Sequence, residues 1–187
     1  MTVLVFGVLL FAALHLVPAV PDRKARVKAQ VGDTLYGPAY GMVSILALVI
    51  IVLGWRSSDF VPVYDPPAWG AYANYGFTLV AFICLGIFLF RGKLRQILRF
   101  PMGLAVVFWA TGHLLANGDQ RSVILFGGML LYAVTHMALG FANGVRPTPE
   151  VRGGHDLMGV FAGIALYGVM TQLHDVLIGV PVFALVK

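Results

Sequence analysis

Hydrophobic residues in this chain come in long runs, and the charged residues are bunched between them. The runs are roughly 16–20 residues long, the length that carries a helix across the hydrocarbon of a bilayer. Six spans are predicted: about Thr2 to Val17, Tyr36 to Trp55, Trp69 to Phe90, a stretch after Phe100-Pro101 ending near Ala116, Ser122 to Gly140, and Asp156 to Thr171. Pro18 and Pro21 stop the first span and Pro101 opens the fourth, the two places where a missing N–H and a fixed φ are tolerated. A break is expected at Gln172-Leu173-His174-Asp175, followed by a short apolar tail from Val176 to Val186. The fold class is therefore all-α: a polytopic transmembrane helical bundle of about six spans, one domain over residues 1–187.

Composition agrees. Of 187 residues, 59% are apolar and 11% charged, against about 25% charged in soluble domains. No basic leader precedes the first run and no good small-residue cleavage site follows His15, so a permanent first helix is expected, not a cleaved signal. The single cysteine, Cys84, lies inside an apolar run and has no internal disulfide partner. There is no nucleophile elbow, P-loop, dinucleotide fingerprint or pair of carboxylates within a span, which leaves hydrolysis and ordinary acid–base catalysis without machinery.

Charge orients the bundle. Ten of the 13 Lys and Arg residues follow spans one, three and five; the opposite loops hold Arg56 and Arg121, with Lys187 at the end. Under the positive-inside rule the basic loops are cytoplasmic and both termini outside. The basic segment Pro21 to Val31 is either a short interfacial helix facing lipid headgroups or a solvated loop. Gly37-x-x-x-Gly41 and Gly159-x-x-x-Gly163 are small-x-x-x-small patterns of the kind that lets helices approach closely.

Two histidines stand inside spans, where an ionisable side chain is costly unless it meets a partner, a cavity or a ligand. His113 has Trp109 one turn before it and Asn117 one turn after; His15 has Phe11 and Ala12 on the preceding turn. Each is either a ligand or a hydrogen-bonded packing contact between helices. Together they point to a bound metal or haem, since imidazole is a common axial ligand of haem iron. Zinc is less suited, because no His-x-x-x-His, Cys-x-x-Cys or carboxylate cluster supplies its ligand set. His136 lies deep enough to support a cofactor, while His155 and His174 read as interfacial. Asn117-Gly118-Asp119 is turn chemistry, and Asp119 is placed to cap the next span. By helical rise, His15 and His113 differ in depth by about 9 Å.

The motif Gly112-His113-Leu114-Leu115-Ala116-Asn117-Gly118-Asp119, preceded by Arg99-Phe100-Pro101, resembles the NnrU family. So do Leu14-His15-Leu16-Val17-Pro18 and Leu173-His174-Asp175-x-x-Ile178-Gly179-Val180-Pro181. The resemblance implies a bacterial inner-membrane, multi-pass protein linked to nitrogen-oxide respiration, and a relation to the plant zeta-carotene isomerase, a haem b enzyme. It implies haem b as cofactor, His15 and His113 as its ligands, and Asn117 and His136 as further cofactor-binding residues. Phe100 stands where the family usually has histidine, and Ala110 where the isomerase has a cysteine; both bear on that enzyme's ligand switch.

Two functions follow as expectations. One is a haem protein that isomerises a lipid-soluble polyene or serves nitrogen-oxide respiration. The other is a haem-free membrane subunit, or an assembly or regulatory factor, of a respiratory complex. A membrane methyltransferase ranks behind both, since Phe100 replaces its Arg-His-Pro histidine and no paired glutamates follow. Membrane lipids are expected partners, nucleic acid is not. The orientation is checked by cysteines placed at Arg95 and Asp65 in a Cys84-free chain: membrane-impermeant reagent should label position 65 from outside and spare position 95.

Overall fold

A computed structural model describes residues 1–182. Five of its helices are long and apolar enough to cross a bilayer, and one apolar helix is shorter. Helix α1 (Thr2–Leu16) runs into a 3₁₀ turn at Val17–Ala19, where Pro18 ends the α-helical hydrogen bonding. Helix α2 (Pro21–Val31) is the basic segment, helical with no buried residue. Helix α3 (Asp33–Arg56) starts a turn earlier than the pattern predicts and carries Pro38 near its start, where few intrahelical bonds are lost. Helices α4 (Gly70–Leu89), α5 (Lys93–Leu98) and α6 (Pro101–Ala116) follow. Helix α7 (Gln120–Ser122) passes through a π-helical stretch, Val123–Gly127, into α8 (Gly128–Ala142), giving one continuous apolar span. Helix α9 (His155–Ile178) closes the bundle.

Helix α9 corrects one expectation. Gln172-Leu173-His174-Asp175 does not break it; the helix continues to Ile178 and stops at Gly179, whose φ of 84° is left-handed. The Gly179 N–H reaches the Asp175 carbonyl at 2.7 Å, and Pro181 follows. Glycine and proline, not the polar quartet, are the stop signal. Of the expected apolar tail, Val176 to Ile178 are the last turn of α9, and residues 183–187, Lys187 included, lie outside the described residues.

The loops group at two ends. At one end, which carries the basic loops, Arg152 N–H bonds the Arg91 carbonyl at 2.8 Å. There the Asp156 carboxylate accepts the N–H groups of Lys93 and Leu94 at 3.1 and 2.8 Å. At the far end, Val63 and Tyr64 N–H groups converge on the Gly118 carbonyl at 2.8 and 3.0 Å. Asp119 caps α7 as expected, accepting from Ser122 N–H at 3.2 Å and from its hydroxyl at 2.5 Å. The core joins α1, α3, α6 and α8 through Leu4, Val8, Ile51, Trp55, Ala110, Phe126 and Tyr132.

The two glycine patterns part company. Gly159 and Gly163 lie against α4, and a Cβ on Gly163 would stand 2.4 Å from the Phe82 carbonyl oxygen. On the α4 side, a Cβ on Gly86 would stand 2.0 Å from the Gly159 oxygen. Gly37 and Gly41 meet nothing within 4 Å. Gly159→Leu with Gly163→Leu should therefore destabilise the detergent-solubilised protein by about 1–3 kcal/mol per site. Gly37→Ala with Gly41→Ala should leave thermal stability equal or slightly higher, by up to about 1 kcal/mol per site.

Candidate functional site

His113 sits in the last turn of α6, and the helix itself anchors its ring. Its Nδ1 lies 2.8 Å from the Trp109 carbonyl oxygen, four residues back. A carbonyl can only accept, so Nδ1 carries a proton, and in the neutral ring Nε2 is left with its lone pair. Phe126 stacks on the imidazole with centroids 4.5 Å apart, and Trp109 flanks it at 5.3 Å. Phe126 is placed by the π-helical stretch of the α7–α8 span, a local irregularity often found at functional sites.

Asn117 follows α6 directly and caps its end. Its side-chain N–H donates to the His113 main-chain carbonyl at 2.9 Å, and its own N–H does the same at 2.9 Å. These bonds end α6, while the His113 ring itself is held by the Trp109 carbonyl.

His113, Trp109 and Asn117 line a cavity of about 290 Å³ enclosed by α3, α4, α6, α8 and α9 toward the far end of the bundle. Its walls are mainly apolar, with Leu48, Ile51, Trp55, Phe82 and Met129 among them, and among the described residues no Asp, Glu, Lys or Arg lines it. His174 lines the same cavity from α9. Its Nδ1 lies 2.6 Å from the Val180 carbonyl oxygen, so in the neutral ring it too has Nε2 as its acceptor. Residues Tyr167, Met170, Thr171, His174 and Ile178 form one helical face on this wall. That spacing was in the sequence, but the expected break at 172–175 hid it. Asn74 and Thr78 of α4, bonded to each other at 2.9 Å, are also in the lining and had no sequence signal of their own.

His15 lies elsewhere. Its Nδ1 bonds the Phe11 carbonyl at 2.8 Å, and its ring stacks on Phe11 at 3.8 Å. Tyr40 and Tyr132 approach it edge-on at 5.2 and 6.0 Å. It is not in the lining of the large cavity. His113 packs on Phe126 and His15 on Tyr132; these residues are separated by about 9 Å of helical rise. The structure thus brings His113 together with Asn117 and His174, and sets His15 near His136 through Tyr132, whose ring lies 5.9 Å from that of His136. Among the described residues no three His, Cys, Asp or Glu side chains converge on a metal position. For haem iron, His113 and His174 fit as imidazoles on one cavity, each with its second nitrogen anchored as a ligating histidine requires.

His136 lines a second cavity, about 150 Å³, at the basic end, together with Arg95, Arg99 and Arg146. Beside it, Glu150 pairs with Arg152 at 2.7 Å and with Arg91. His155, at the start of α9, accepts the Arg91 N–H at 3.1 Å, an end-of-helix role in keeping with the interfacial reading.

Fold and cavity define a polytopic α-helical membrane protein with anchored imidazoles inside its spans. The chain belongs to the NnrU family: the family profile, described as NnrU protein, matches residues 3–182. No curated protein and no solved structure matches it.

One loop contact at the basic end depends on pH. The Arg152 hydrogen bond, with the charges of Arg152 and Arg91 adding to it, holds the Glu150 carboxyl below its usual range. A depressed carboxyl stabilises the fold above its unfolded value, and the contribution is lost as pH falls through the folded one. Glu150→Gln should therefore lower the melting temperature slightly at neutral pH, slightly because the pair is exposed. The difference from wild type should vanish in acid; scanning calorimetry across that range measures it.

Proposed function

We propose that this chain is a bacterial inner-membrane haem b protein, holding the cofactor in the large cavity through His113 and acting on a lipid-soluble polyene or in nitrogen-oxide respiration. The single observation that carries the reading is the His113 imidazole, anchored at Nδ1 on the Trp109 carbonyl, in a cavity with no Asp, Glu, Lys or Arg among its described lining residues. A neutral imidazole enters such surroundings at far lower cost than an ion, and iron satisfies the remaining nitrogen. When bound, haem supplies an iron that can take up and release an electron.

The protein's part is to hold and exclude. Trp109 fixes the ring of His113 through its carbonyl and Phe126 holds it by stacking. Val180 fixes His174 in the same tautomer from the other side of the bundle. The apolar walls keep water from the site and suit a substrate that arrives through the bilayer. His174 is the second imidazole in this reading, because it shares the cavity. A second reading pairs His113 with His15, as the family resemblance implies; the matching Nδ1 anchor of His15 on Phe11 favours it.

The test is an absorption spectrum of detergent-purified protein expressed with ample haem. A Soret band with sharp reduced bands is expected. His113→Ala should lower haem retention by about tenfold or more, His174→Ala should alter the ligation spectrum, and His155→Ala should do neither. Loss on His15→Ala with no change on His174→Ala would select the second reading. No Soret absorption in the wild type would overturn both.

A further inference from the structure

The basic end of the bundle holds charge that the chain itself leaves unanswered. The 150 Å³ cavity there is lined by Arg95 of α5, Arg99 just before α6, and Arg146 from the loop after α8, with no carboxylate among the described residues of its wall. Among the described residues none of these three arginines makes an ion pair, and the nearby acids are engaged elsewhere. Glu150 is held by Arg91 and Arg152, and Asp156 by the main chain of Lys93 and Leu94.

Arg99 is held in place with some strain. Its φ of 58° is left-handed, a region a residue with a Cβ enters only when its surroundings require it. Its Nε–H donates to the Val145 carbonyl at 2.9 Å. Its guanidinium lies 5.0 Å from the Phe100 ring and 4.3 Å from the Phe141 ring. Arg146 is close enough for the two like charges to act on each other. The first residues of α6, Pro101 to Gly103, also line the cavity, adding the positive end of a helix dipole. Three cations and a helix start gathered without an anion are complementary to a phosphate group.

The walls specify what the phosphate is attached to. Phe88 and Met102 line the cavity beside the arginines. Both belong to ends of membrane-spanning or apolar helices, so the cavity lies where hydrocarbon gives way to headgroups. Free phosphate would use the cations and have no contact to make with these side chains. We propose that this cavity binds the phosphate headgroup of an anionic phospholipid from the adjoining leaflet, its acyl chains running along the apolar surface below.

The experiment uses the full chain, delipidated in detergent, with phosphatidylglycerol, phosphatidylcholine or inorganic phosphate added and retained lipid counted by native mass spectrometry. Wild type should keep phosphatidylglycerol in preference to phosphatidylcholine, and inorganic phosphate should not displace it. Arg95→Gln with Arg146→Gln should weaken retention by about tenfold or more. Neither side chain hydrogen-bonds the rest of the described chain, so the fold should persist; Arg146→Gln alone, at an exposed position, repeats the test should the double variant unfold. Arg23→Gln with Lys24→Gln, which removes equal charge from α2, should leave retention unchanged. Equal retention by the cavity variant, equal loss in the α2 control, or displacement by inorganic phosphate would each overturn the proposal.

Discussion

Helix α4 can stand against its neighbours only because a glycine lies at each crossing. Without water there is no hydrophobic drive between helices in a bilayer, and close van der Waals contact must hold them. A Cβ on Gly70 would stand 1.9 Å from the Leu115 oxygen of α6, and one on Gly112 would stand 2.6 Å from Asn74 Oδ1. Gly86, Gly159 and Gly163 do the same for α4 and α9. These contacts fix α6 and α9 on α4, and so set His113 and His174 around the cavity that Asn74 and Thr78 also line. The cavity is what remains where α3 and α8 complete the ring.

Much of this was legible in the sequence, because apolar run length and proline position act locally. The six spans, the cap at Asp119 and the close contact at Gly159 and Gly163 all follow from such signals. Other features depended on which helices meet. Gly37 and Gly41 have the same spacing as Gly159 and Gly163 but face open space, and nothing in the spacing could separate the two. His174 was misplaced because a polar quartet was read as a helix end. The actual stop is the left-handed Gly179, which turns the chain so that Val180 can accept from His174. That contact unites a helix with the segment after it, and the pattern of either alone does not contain it.

Three histidines, His15, His113 and His174, bond a main-chain carbonyl through Nδ1. In the neutral ring this arrangement leaves Nε2 as the acceptor, suited to a metal or a hydrogen-bond donor and unsuited to an anion. The anion-binding chemistry is concentrated instead at the opposite end, in the arginine cavity. The two positions that the resemblance singled out, Phe100 and Ala110, are not in the lining of the large cavity. Ala110 is fully buried in the core and Phe100 lines the arginine cavity, so neither removes an imidazole from the candidate site.

The account rests on the protonation state of His113, which nuclear magnetic resonance of isotope-labelled histidine reads directly in haem-free protein at neutral pH. A neutral ring protonated at Nδ1, with Nε2 bare, is the predicted result. A ring protonated at Nε2, or an imidazolium, would contradict it, because His113 would then have no lone pair to offer the cavity.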